Sequence, residues 1–302
     1  MVFIRIKTVK DIDYLYLVES KWDPYRKTST QKTIKYLGKV SDISIESIPI
    51  EYRNSSQILS KIKLKIKKNN SKILENENIK EQIFDALKNG EIEKILRIVK
   101  IYNSKKTLTS FYEDILKQVL YEIGSLWEQN KLDIATEHVC SNTVNKIIFL
   151  INKLYKKNND NKFEKLNIIL CTPDGELHNI ACNILESILL QKGYNVYNIS
   201  PSIPTESIIK YIKEINPSLI MISVTLADNI GSAKRLIKKI NSESNIPIIL
   251  GGQAITNYDL KEKKHIEKTD TNTKIIYNLT LETLTQIVRE SIKKTIQNTI
   301  KY

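Results

Sequence analysis

The sequence predicts an α/β protein: a helical-bundle cap followed by a doubly wound, flavodoxin-like parallel sheet, with a small β-rich appendage at the amino terminus. Three observations carry that prediction. After residue 165 short apolar runs alternate with helix-period segments, the rhythm of a parallel sheet covered on both faces. Between residues 78 and 157 apolar side chains recur at three- and four-residue spacing, as packed helices require. In the opening residues polar and apolar side chains alternate, as half-buried strands require. The expected divisions are a basic appendage at 1–55, a linker at 56–77, the cap at 78–157 and the α/β domain at 158–302.

In the appendage Val2, Ile4 and Ile6 alternate with Phe3, Arg5 and Lys7, Tyr14 to Val18 is a β-rich run, and Lys32 to Leu37 precedes Gly38. A three-stranded meander is expected, too thin to stand without a helix or a partner. The run KIKLKIKKNNSK that follows alternates lysine with isoleucine and fits a basic strand, a helix or a linker. In the cap, Ile79, Ile83, Phe84 and Leu87 form one stripe, closed by Asn89-Gly90, and Ile92, Ile95, Leu96 and Val99 form a second. Residues 109–129 carry Leu116, Val119, Leu120, Ile123 and Leu126, and 133–155 carry Val139, Val144, Ile147, Ile148 and Ile151. Four helices in a bundle follow. The polar run KKNNDNKFEK at 156–165 marks a boundary. Strands are then expected at 166–171, 194–199, 219–224, 246–252 and 274–278, each with a helix after it. Such sheets bind ligands outside the carboxyl ends of their strands. That rule selects three segments, TPDGELH, SVTLADN and GGQAI.

Composition bounds the alternatives. The chain has 302 residues, 41% of them hydrophobic and interspersed with charge, which excludes wholesale disorder. No apolar run reaches the roughly 18 residues of a membrane span, and the start lacks the pattern of a secretory signal, so a soluble cytoplasmic protein without membrane contact is expected. Cys140, Cys171 and Cys182 form no CxxC pair and sit in apolar stretches, which reads as buried free thiols. The net charge is +13, and residues 1–70 hold 15 Lys and Arg against 7 Asp and Glu. A basic front end is one electrostatic footprint of nucleic acid, although lysine is abundant throughout the chain.

The three loop segments hold the candidate chemistry. A Gly-containing loop delivers Glu176 and His178 to the start of a helix, where a neutral imidazole can offer a lone pair to a transition metal and a carboxylate can orient it. The other histidines are His138 and His265, the latter in the polar run KEKKHIEK and read as solvated. Two histidines make a poor zinc site.

Read across the domain, this spacing resembles the cobalamin-binding domain of methionine synthases, methylmalonyl mutases and corrinoid proteins, which carries D-x-H-x-x-G, then S-x-L or S-x-T, then G-G. Here the first motif is Glu176-Leu177-His178-Asn179-Ile180-Ala181, with Glu for Asp and Ala for Gly, the second is Ser223-Val224-Thr225 and the third Gly251-Gly252. The resemblance implies that His178 is the lower axial ligand of cobalt, in place of the cofactor's own dimethylbenzimidazole. It implies that Ser223 and Thr225 line the tunnel for the displaced nucleotide tail and that the two glycines admit the tail close to the backbone. A second motif, Trp127 followed after nine residues by Glu137-His138, resembles the W-x9-E-H cap of cobalamin-dependent photoreceptor repressors. In that family the Trp covers the upper face of the cofactor and the Glu and His contact its adenosyl ligand.

These resemblances together imply a cobalamin sensor or regulator, with adenosylcobalamin favoured and methylcobalamin the alternative form, a light- or cofactor-dependent role in transcription, and self-association. The alternative is a corrinoid methyl carrier serving partner methyltransferases. No catalytic activity of the chain alone is expected. Two features depart from the photoreceptor pattern: the residue after the motif Trp is Glu128 where those relatives have a cobalt-capturing His, and the appendage reads as strands where they have a winged helix.

Overall fold

The computed structural model describes residues 1–9, 12–43, 45–53, 55–158, 166–258 and 272–299. His265 and most of the polar run at 156–165 lie outside the described residues. The chain divides into two compact units, Met1–Ile79 and Lys80–Tyr302.

The first unit is an antiparallel meander of β1 (Val2–Val9), β2 (Ile12–Asp23) and β3 (Thr28–Lys39), longer than the alternation alone marks. The β2–β3 turn is tied by Asp23, whose Oδ1 accepts from the backbone N–H groups of Tyr25 and Arg26 at 3.0 and 3.1 Å. One face of the sheet carries Ile4, Leu15, Leu17 and Leu37 into a core shared with Ile48, Ile58 and Ile62. The last two belong to α1 (Ser56–Lys88), which corrects the linker expected at 56–77. The reason is the spacing within the lysine-isoleucine run: Ile58, Ile62 and Ile66 lie four residues apart and face the sheet together, while Leu64 between them is left exposed. Local alternation disguised a helical stripe.

In the second unit the end of α1 is followed by α2 (Ile92–Asn103), α3 (Leu108–Phe111), a π-helical turn over Tyr112–Leu116, α4 (Lys117–Glu128) and α5 (Ile134–Asn158). The third expected helix is therefore continuous in direction but carries a π turn, and it buries Phe111, Tyr112, Ile115 and Leu116 completely or nearly so. Asp133 starts α5: its carboxylate accepts the Thr136 N–H at 2.9 Å and the Thr136 hydroxyl at 2.5 Å, which holds its pKa below the usual range.

The sheet comprises β4 (Asn167–Cys171), β5 (Asn195–Asn198), β6 (Leu219–Ser223), β7 (Ile248–Gly251) and β8 (Thr273–Ile275), all parallel in the order β5-β4-β6-β7-β8. The connecting helices are α6 (Ile180–Gln191), α7 (Thr205–Ile215), α8 (Ile230–Glu243) and α9 (Gln253–Asn257), and α10 (Leu281–Thr299) closes the domain. The central strands are buried on both faces, which explains their unbroken apolar runs. All three cysteines are buried free thiols, and burial pushes Cys182 up to about 12. None of the described helices is long and apolar enough to cross a membrane.

The cap and sheet domain are joined by polar contacts as well as apolar ones. The Tyr112 hydroxyl lies 2.9 Å from the Ser187 hydroxyl in a buried pair, and Asn183 on α6 donates to Asn145 on α5 at 2.9 Å. Asn198 at the end of β5 in turn donates to Asn183 at 2.8 Å. The buried Tyr112–Ser187 pair must be satisfied, and the part-buried asparagine ladder beside it aligns α5 with α6.

Candidate functional site

The chain leaves β4 into Thr172-Pro173-Asp174-Gly175-Glu176, a loop that returns on itself at Gly175 with φ +86. A side chain there would place its Cβ 3.1 Å from Asn229 Oδ1, so glycine serves both the turn and the contact. The Thr172 hydroxyl donates to the Glu176 carbonyl at 3.0 Å and accepts from the Ser202 N–H at 2.8 Å, and Ser202 Oγ accepts from the Gly175 N–H at 3.0 Å. The loop is thereby clamped to the segment after β5.

Glu176 is fully buried and organises the site. Its Oε1 accepts from His178 Nδ1 at 2.7 Å and from the His178 N–H at 3.0 Å. Its Oε2 accepts from the N–H groups of Thr225 and Leu226, both at 2.9 Å, and from Asn229 Nδ2 at 3.0 Å. Burial alone would raise this carboxyl, but the donors from His178, Leu226 and Asn229 outweigh it and hold the pKa at about 2. Near neutrality Glu176 is therefore an acceptor only. His178 Nδ1 must carry the proton of their shared bond, and Nε2 is left as the position for a metal or a second proton. The imidazole is half exposed, and its pKa is raised chiefly by the bond to Glu176, with the charge of Glu137 on α5 adding to the rise. That influence brings the cap's acidic residue into the same electrostatic neighbourhood as His178.

Ser223 and Thr225 lie at the carboxyl end of β6. Ser223 is buried, and its Oγ has no hydrogen-bond partner among the described residues. An orphaned buried hydroxyl is costly unless a ligand answers it. Gly251 sits opposite Ser223 in the parallel β6–β7 ladder. Gly252, with φ +116, presses against Val224: a Cβ on it would fall 2.2 Å from the Val224 carbonyl oxygen and 2.6 Å from its nitrogen. The resemblance assigns both glycines to a ligand's approach; the structure gives Gly252 a second reason, internal to the chain.

In the cap, Trp127 is at the end of α4 with 44% of its surface exposed, and Glu128 beside it is exposed too. Glu137 and His138 open α5, with His138 Nδ1 2.7 Å from Glu137 Oε2 and the Ser141 hydroxyl donating to Glu137 Oε1 at 2.5 Å. His138 is largely exposed. The site thus presents two carboxylate-imidazole pairs, one on each domain. Residues that the sequence reading did not single out are Asn229, Thr172 and Ser202; Thr172 opens the selected segment TPDGELH and Asn229 ends SVTLADN, while Ser202 lies in neither.

Replacing Glu176 with glutamine should lower the stability of the cofactor-free protein by about 3 kcal/mol, because an amide nitrogen would face backbone donors that cannot accept from it. Thermal unfolding would show a drop of roughly 6–12 °C for a domain of this size. A drop under about 2 °C would mean that the five donors are satisfied elsewhere.

Two segments match known families, both described as B12 binding domain: residues 79–151 and residues 166–270. The chain is 21% identical over 184 residues to the dimethylamine corrinoid protein of Methanosarcina barkeri, covering 60% of this chain and 85% of that one. It is 23% identical over 141 residues to trimethylamine corrinoid protein 1 of Methanosarcina mazei, covering 45% and 65%. It is 27% identical over 105 residues to the methionine synthase of Mycobacterium tuberculosis, covering 34% of this chain and 9% of that one. Its fold is similar to the structure of the Methanosarcina barkeri monomethylamine corrinoid protein, with TM-score 0.54 and 15% identity over 74% of this chain and 99% of that one.

Proposed function

We propose that this chain, a cobalamin-binding protein built of a helical cap and a Rossmann-like domain, works as a corrinoid methyl carrier serving partner methyltransferases. The observation that carries the reading is the extent of the likeness to small methylamine corrinoid proteins, which runs through cap and sheet domain together. The sensor and transcriptional reading implied by the Trp-Glu-His cap motif gives way to it. Glu128, where the photoreceptors have a cobalt-capturing His, favours the same choice.

The residues fit the cofactor. When bound, a corrinoid supplies a cobalt centre that accepts and releases a methyl group. His178 would hold that centre from below through Nε2, with Glu176 fixing the ring and keeping the proton on Nδ1. Ser223 would offer its orphaned hydroxyl to the nucleotide tail, beside Thr225 and Gly251. Glu137 and His138 open onto the cap side, and Trp127 supplies an aromatic surface there that can exclude water from the upper ligand.

The experiment is purification in the dark followed by mass spectrometry of the native corrinoid and a transfer assay with labelled methyl donor and a methyltransferase. A methyl upper ligand and light-independent transfer are expected. An adenosyl ligand with light-dependent assembly would restore the sensor.

A further inference from the structure

The face of the β1–β3 sheet that turns away from α1 is occupied by aromatic and cationic side chains in register. Arg5 on β1 pairs with Tyr16 on β2, which pairs with Tyr36 on β3, and the next row but one runs Lys7, Tyr14, Lys39. Tyr36 is half exposed, and its ring centroid lies 5.1 Å from Tyr16 and 6.3 Å from Tyr14, tilted by 47° and 33°. The three rings cluster on this face, Tyr36 exposed and Tyr14 and Tyr16 partly so. The apolar core of this sheet is on its other face, so the tyrosines are not needed to fill it.

The cations around the rings are uncommitted. Arg5 donates to the Gln31 side chain at 3.3 Å, and none of Arg5, Lys7 and Lys39 forms an ion pair with a carboxylate among the described residues. Asp13, the acid nearest in sequence to Tyr14, is engaged by Lys65 at 2.6 Å and by the Thr8 hydroxyl. Asp42 adds a small rise to the Tyr36 pKa, after burial and the neighbouring tyrosines. Bases present a π-face to any exposed ring, and phosphates seek unpaired cations at the spacing of a backbone, so a sheet face with both is suited to an unpaired strand. A duplex hides those π-faces within its own stack.

We propose that this face binds single-stranded nucleic acid, with bases stacked on Tyr14, Tyr16 and Tyr36 and phosphates on Arg5, Lys7 and Lys39. The inference rests on the amino-terminal sheet and is independent of the carrier reading. It gives the excess of cations in this part of the chain a location and a use.

The test uses the full chain with its native corrinoid and fluorescence anisotropy of a labelled thymidine oligonucleotide of ~12 residues. Binding is expected to weaken with salt, with a slope of log affinity against log salt of about −2 for three phosphate contacts on a single strand. Tyr36→Ala should weaken it by about tenfold, Tyr36→Phe should leave it nearly unchanged, and Arg5→Ala should make the salt slope shallower. Tyr36 is exposed, so circular dichroism should show both variants folded. The proposal is overturned by absence of binding at low salt, by equal binding of the matching duplex, or by equal binding of poly-glutamate, which would point to an acidic protein partner instead.

Discussion

Replacing His178 with alanine is expected to abolish the base-off, His-on absorption of the bound corrinoid and to weaken its retention by about 100-fold, the upper end of what even a supporting residue contributes at a metal site. The expectation follows from how the imidazole is held. Its Nδ1 is fixed 2.7 Å from a carboxylate that is itself fixed by three further donors from the β6 segment, so Nε2 has one direction available. The variant also leaves Glu176 Oε1 with a single backbone donor, and the cofactor-free protein should lose about 1–2 kcal/mol. His138→Ala is the control. Its imidazole is exposed on α5 and paired with Glu137, and its removal should leave the His-on spectrum in place. An unchanged spectrum in His178→Ala would remove His178 from the cobalt, whatever the fate of the carrier reading.

Much of this arrangement was legible in the residues, and the parts that were not have physical reasons. The central strands could be read because a parallel sheet buried on both faces takes near-continuous apolar runs, as in Leu219 to Ile222. The front of the helix over Ser56–Lys88 stayed one of three open readings, because its sheet-facing isoleucines sit among lysines and a further leucine that mimic a strand. The π turn at Tyr112–Leu116 has no periodic signature, and it falls where Phe111 and Tyr112 are fully buried. At the site, the rule that ligands bind beyond the carboxyl ends of strands selected the loop that carries Glu176 and His178 and the strand ends at Ser223 and Gly251, and the resemblance supplied their expected roles. What spacing could not show is that the segments are tied together. Glu176 stands where relatives have Asp, and in this fold its longer side chain reaches the Thr225 and Leu226 amides 49 and 50 residues away while still bonding His178. A through-space bond of that kind leaves no periodicity to read.

The same interlock makes Gly252 the residue least able to change. Gly252→Ala should cost more than about 4 kcal/mol, a loss reserved for a few mechanisms of which a backbone clash at positive φ is one. The added Cβ would lie 2.2 Å from the Val224 carbonyl oxygen, 2.6 Å from its nitrogen and 2.7 Å from its carbonyl carbon. Backbone cannot rotate aside as a side chain can, and Val224 is held on both sides: its N–H donates to Gly251 at 2.9 Å, and its carbonyl accepts from Ala254 at 3.2 Å. Gly251→Ala is the matched comparison. There the new Cβ meets Ile276 Cγ1 at 2.9 Å, a side chain that can shift, so about 1–2 kcal/mol is expected. Denaturant unfolding of the two cofactor-free variants should therefore separate two adjacent glycines by 2 kcal/mol or more, roughly a 30-fold difference in folding equilibrium. Equal losses would mean that Val224 can yield. The larger loss at Gly252 would place the second glycine of the pair in the service of β6, where it sets the position of Ser223 and Thr225 before any ligand arrives.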